Sequence, residues 1–241
     1  MKVRGGKIVP LLLLMLVLCM AFSGCLLITE PESAAPSRPR GYFIDEDPIR
    51  QSTARDPLTV LTRSMTVGGC SVNYPFVASD SMDLLNLSIK TAFSDFAADC
   101  GVSDGTVSYN VEFNRSGLLS FTVQLTGQGG IVLFSDTASF NCDTGRRVYL
   151  DDCFGASYTD YPSRLSGLVT RFVEERGLTV VGSIPRIKDS TPFVFTNDGL
   201  ALVFREYELC THDGGAPRVP VPLSAVQDLV EADGLLNRIK E

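Results

Sequence analysis

The run VSYNVEFNRSGLLSFTVQL at residues 107–125 decides the fold class of this 241-residue chain. Val107, Tyr109, Val111 and Phe113 alternate with polar residues, and so do Leu119, Phe121, Val123 and Leu125, which is the period of strands with one buried face. Asn114, Arg115, Ser116 and Gly117 between them favour a turn, so the run predicts a β-hairpin. Downstream, residues 131–142 form a further extended run, which Asp143, Thr144 and Gly145 turn into a strand at 147–150. Upstream, Met82, Leu85, Ile89, Phe93 and Phe96 recur at spacings of three and four, predicting a helix that reaches about Asp99 and stops at Gly101.

The second half repeats the mixture. Leu165, Leu168, Val169, Phe172 and Val173 give residues 161–176 an apolar helical face, closed by Gly177. A strand is predicted at 178–184, and a second hairpin joins 192–195 to 200–209 through the turn Thr196-Asn197-Asp198-Gly199. Pro217, Pro220 and Pro222 confine 219–221 to an edge strand, because proline cannot donate to a central ladder. Ser224 is expected to cap a terminal helix reaching about 238. The class is α+β with antiparallel sheet and one helix in each half, the halves being 57–142 and 143–241.

Lys2, Arg4 and Lys7 precede the apolar run 8–21, too short to span a bilayer comfortably, and Ser23 and Gly24 stand before Cys25. Residues 1–24 read as a signal peptide resembling the bacterial lipobox, in which Cys25 is acylated. Residues 25–56, with Pro31, Pro36, Pro39 and Pro48 among serines, alanines and charges, read as a disordered tether spanning roughly 30 Å. The expected location is the extracytoplasmic side of a membrane. The chain carries a net charge of −7, and removal of residues 1–24 leaves 18 basic against 28 acidic residues, a net −10. Such a field disfavours nucleic acid and favours cationic partners. One histidine, His212, cannot build a multi-imidazole metal site, and no metal or other cofactor is expected.

Phe140, Asn141, Cys142, Asp143, Thr144 and Gly145, followed by Leu150, Asp152 and Phe154, look like the F-N-x-D-T-G-K...L-x-D-x-F signature of an extracytoplasmic domain family. Asn197, Asp198, Gly199, Leu200, Phe204, Tyr207, Glu208, Leu209, Gly215, Val221, Pro222 and Leu223 resemble its second signature. That family supplies the outer domain of RsiV, the lysozyme-sensing anti-sigma factor, and stands beside the catalytic domain of some peptidoglycan deacetylases. The resemblance implies a binding module for a protein or peptidoglycan ligand, with strongly basic lysozyme the most concrete partner. It directs attention to the loop 207–218, with Tyr207, Glu208, His212, Asp213, Gly215 and Arg218 as candidate contacts. Ten residues before Leu11 are too few for a sigma-binding segment, and a separate deacetylase half is not expected.

Cys142 and Cys153 occupy positions that are usually leucine in that family, and a crosslink between them is the favoured reading against two buried thiols. Cys70 and Cys100 bracket the first helix as a second candidate pair, leaving Cys210 over. Cys210 and His212 would share a face if both lay on one strand, yet no third orienting group is evident. Asp151 with Asp152 and Glu174 with Glu175 are adjacent acids, which diverge rather than face each other across a sugar. No catalysis is expected; a peptidoglycan-modifying enzyme and an accessory subunit of an envelope assembly are the alternatives to a binding module.

Overall fold

The computed structural model describes residues 57–79 and 81–240, so the leader, the lipidation candidate Cys25 and the tether lie outside the described residues. Among the described residues nine strands form two sheets: six in the order β1-β2-β3-β4-β5-β6 and three in the order β7-β8-β9. The six are β1 (Val60–Val67), β2 (Cys70–Val77), β3 (Thr106–Arg115), β4 (Leu118–Thr126), β5 (Val132–Asn141) and β6 (Arg146–Val148); the three are β7 (Phe193–Thr196), β8 (Gly199–Val203) and β9 (Arg218–Pro222). Helix α1 (Asp83–Asp99) joins β2 to β3, α2 (Tyr161–Arg176) follows β6, and a single turn, α3 (Leu223–Val226), follows β9. Among the described residues no helix is long and apolar enough to cross a membrane.

The 107–125 hairpin forms as the alternation requires, with Val107 opposite Leu125 and Tyr109 opposite Val123. Its turn places Ser116 and Gly117 at positive φ. The chain entering β1 is pinned to this turn, for the Leu58 N–H donates to Asn114 Oδ1 and Asn114 Nδ2 donates to the Leu58 carbonyl, at 2.9 and 2.8 Å. Helix α1 buries Leu85, Ile89, Ala92, Phe93 and Ala97 against one face of the large sheet. There Phe93, Tyr109 and Phe121 meet edge to face at centroid distances of 5.7–6.3 Å. Asn86 on the same helix both accepts from the Val77 N–H and donates to its carbonyl, finishing the end of β2.

The opposite face of β4 and β5 carries buried hydroxyls, and the edge of β7 lies across them. The Phe195 N–H donates to Ser120 Oγ and the Phe193 N–H to Thr137 Oγ1, both at 3.0 Å, while Ser139 Oγ donates to the Phe193 carbonyl. Beyond this contact, Phe195, Leu200, Leu202, Val219 and Val221 share a second core with Leu165, Val169, Phe172 and Val173 of α2.

Several expectations are corrected. The sheet is not wholly antiparallel: β2 and β3 run parallel at Ser71–Thr106 and Val72–Val107, the geometry a helical crossover imposes. Strands β1 and β2 escape the sequence pattern because β1 is mostly exposed and β2 contains Pro75, which lies beyond the two pairs with β3. Residues 178–184 supply one bridge, Val180 to Cys210, rather than a strand. The 200–209 strand ends at Val203. Ser224 caps nothing: Pro222 is the N-cap of α3, and the expected terminal helix breaks into 3-10 turns at Gln227–Leu229 and Leu235–Lys240. The large sheet continues past residue 142 through β6.

Candidate ligand-binding surface

The two turn signatures serve the fold. Asn141 Oδ1 accepts from the Asp143 N–H, the side-chain-to-backbone closure asparagine favours in turns. Gly145 has φ 65°, and a Cβ there would lie 2.8 Å from the backbone nitrogen of Leu85, so α1 packs against bare backbone. Asp143 holds Arg238 near the C-terminus at 2.7 Å, and Asp152 accepts from the Tyr149 N–H. In the second signature the Asp198 carbonyl accepts from the Leu223 N–H at 2.7 Å.

The loop between β8 and β9 is built differently. Leu209 and Cys210 are buried, and Cys210 bridges Val180, anchoring the middle of the loop. A Cβ on Gly214 would fall 2.2 Å from Cys210 Sγ, so the turn His212–Gly214 folds directly over the thiol. Around that anchor, Tyr207 is 57% exposed and sits at φ 64°, a left-handed conformation unfavourable for a bulky side chain. Its ring stacks on His212 at a centroid distance of 5.9 Å, and His212 Nδ1 lies 2.5 Å from Glu206 Oε1. Glu208 accepts from the Arg205 N–H. Gly215, at φ 60°, lets the chain turn towards β9. Asp213 lies within the His212–Gly214 turn.

Arg218, the last candidate contact, stands in β9 and forms a forked ion pair with Glu112 of β3 at 2.7 and 2.9 Å, with Thr122 Oγ1 also within 3.1 Å. Hydrogen bonding from Arg218 holds the Glu112 carboxyl below the usual carboxylate range despite its partial burial. The guanidinium therefore ties the small sheet to the large one. Nothing in the sequence separated Arg218 from its loop neighbours, and Glu112, Ser120, Thr122, Thr137 and Ser139 were passed over. For the four hydroxyl residues the one signal is their alternation with apolar residues in β4 and the buried end of β5; Glu112 in β3 carries none.

Cys70, Cys100, Cys142, Cys153 and Cys210 are free thiols, so the two expected crosslinks are not formed. Cys142 belongs to the core under α1 and Cys153 to the core under α2, which separates them. Burial pushes the Cys142 thiol up to about 12 and raises that of Cys153 well above its ordinary value. Cys70 Sγ is engaged with the Val102 carbonyl at 3.0 Å, while Cys100 closes the end of α1 and is raised by burial. Cys210 and His212 do not share a face: the thiol is a core group enclosed by Gly214, and the imidazole is a loop side chain turned outward to Glu206. A shallow groove along α2, lined by Asp160, Ser163, Arg164, Gly167, Leu168 and Arg171, gathers none of the sequence candidates.

No protein-family model matches the sequence, and neither does any curated protein. Solved structures do match in shape. A DUF3298 family protein from Pseudomonas aeruginosa has a TM-score of 0.55 at 11% identity, covering 74% of this chain and 97% of that one. A DUF3298 family member from Bacteroides fragilis has a TM-score of 0.50 at 13% identity, covering 76% and 96% respectively. Identity this low speaks for architecture alone. The described body therefore shares its fold with proteins of the DUF3298 family.

Proposed function

We propose that this chain is an exported, lipid-anchored binding module whose loop 204–217 captures a protein or cell-wall ligand, a basic lysozyme-like protein being the leading candidate. The observation that carries the reading is Tyr207, held exposed at φ 64° with its ring stacked on His212 and Glu206 alongside. A left-handed non-glycine residue costs about 1–3 kcal/mol and persists where the surroundings enforce it, often at ligand clamps. An exposed aromatic–imidazole stack with one carboxylate, Glu206, against the imidazole suits a guanidinium or ammonium group, through the ring quadrupole and through charge. The acid excess of the chain adds long-range attraction for a basic partner. The two turn signatures support the extracytoplasmic setting, with Cys25 as anchor and residues 26–56 as spacer.

Calorimetric titration of the fragment from Asp56 onward with lysozyme, at low and high salt, tests the ligand. Binding at low salt that salt weakens, and that Tyr207→Ala reduces at least tenfold, is the expected result. Absence of binding at millimolar concentration removes lysozyme as the ligand. Anchoring is tested separately, since Cys25→Ser should release the protein from the membrane fraction.

A further inference from the structure

We infer that Glu112, the extra residue of a bulge in β3, is a positioning residue that sets the neck of loop 204–217 and, through it, the Tyr207–His212 stack. Strand β3 pairs with β4 residue for residue from Thr106–Thr126 to Val111–Phe121, and then Phe113 meets Ser120, so Glu112 is the one residue of β3 with no partner in β4. An inserted residue of this kind bends the strand and re-aims its side chains. Before the bulge, Val107 and Tyr109 face the core under α1; after it, Phe113 belongs to the second core, its ring 6.0 Å from that of Phe195. Uninterrupted alternation would have turned Phe113 back under α1 with Val107 and Tyr109. The added residue thus turns β3 towards the small sheet, and the Glu112 carboxylate meets Arg218 and Thr122 there.

Arg218 is where the loop closes. It stands opposite Val203 in the last rung between β8 and β9, and just beyond that rung the Phe204 N–H donates to the Pro217 carbonyl at 3.1 Å. The Val180–Cys210 bridge fixes the middle of the loop, with Tyr207 before it and His212 after it in the chain. The neck has only the small sheet behind it, and β9 is an outer strand of three, the kind of element that opens locally before the cores do. Glu112 holds it from the large sheet. A forked pair fixes the orientation of the guanidinium as well as its distance, so the carboxylate limits both sliding and rotation of the neck. What the loop binds rests on the function proposed above; that Glu112 sets the loop does not.

Magnetic resonance of the full chain in detergent tests it, because the chain has one histidine and its imidazole resonances report the stack on Tyr207. Tyr207→Ala supplies the unstacked position at the same pH. Glu112→Gln should carry the His212 resonances at least half of the way there and speed hydrogen exchange of the Phe204 amide at least tenfold. Asp143→Asn, which breaks an ion pair of comparable exposure elsewhere, should leave both unchanged. Glu112→Asp keeps the charge and should displace the resonances less than Glu112→Gln does. Should Glu112→Gln fail to fold, Arg218→Lys, which keeps the charge but gives up the fork, takes its place with the same expectation. In titration with lysozyme, Glu112→Gln should weaken binding at least threefold. Unmoved His212 resonances overturn the inference, as does an equal displacement by Asp143→Asn or Glu112→Asp. Undiminished lysozyme binding by a variant whose resonances have moved overturns it too. A wild type that does not bind lysozyme refutes that ligand alone, and the resonances still decide the role of Glu112.

Discussion

The two faces of the large sheet are buried by different physics. Under α1, Phe93, Tyr109, Phe121 and Phe140 interlock, and stabilisation scales with apolar area removed from water. On the reverse face, Ser120, Thr137 and Ser139 meet the backbone of β7. Neutral hydrogen bonds contribute modestly net, but buried partners left without them carry the full desolvation cost. The apolar face thus supplies cohesion, while the hydroxyl face fixes where the second sheet sits: shifting β7 by one residue would orphan two amides and a carbonyl.

The comparison can be broken most forcefully at Phe121. Phe121→Ala should destabilise by about 3–5 kcal/mol in denaturant unfolding, and a loss under ~1.5 kcal/mol would show that the aromatic cluster is not the main anchor. Ser120→Ala should cost about 1–3 kcal/mol by stranding the Phe195 amide, while the Ser139 hydroxyl, 2.7 Å from Ser120 Oγ, keeps its bond to the Phe193 carbonyl. Combining it with Ser139→Ala should give a loss that differs from the sum of the single losses; simple additivity would mean that the hydroxyls do not act together.

The ion pair beside that row offers a finer test. Glu112→Gln should lose about 1 kcal/mol at neutral pH, the side chains being partly solvated. Because Arg218 lowers the folded carboxyl, the pair's contribution is complete above the unfolded Glu value near 4.3 and disappears as pH falls through the lower folded one. The stability gap between wild type and Glu112→Gln should accordingly close on acidification below about pH 5, and a gap constant to pH 2 would contradict the assignment. The smallest effect is expected in the loop: Tyr207→Gly should be neutral or stabilise by up to ~1 kcal/mol, measured by thermal unfolding, because glycine accepts φ 64° freely.

Much of the architecture was legible because its signals are local. Tyr161–Arg176 ends at Gly177 in the left-handed conformation, as glycine after an apolar helical stripe implies, and the 107–125 alternation gives its hairpin. Proline spacing likewise marked β9 as an edge. What stayed hidden depends on partners distant in sequence. The exposed strand β1 shows no period, the parallel β2–β3 contact is only two pairs long, and the crosslink expected between Cys142 and Cys153 assumed that one core held both. At the loop, residue types marked the region, but the left-handed twist of Tyr207 and the diversion of Arg218 to Glu112 arise only once Cys210 and β9 are seated.

The hydroxyl row also alters the character of a strand that ought to be vulnerable. β7 has a ladder neighbour on one side only, yet the amides of Phe193 and Phe195 find acceptors on Thr137 and Ser120. Their protons should exchange with solvent deuterium as slowly as those of an interior strand, and along β7 the small sheet offers no docking line to an intruding chain.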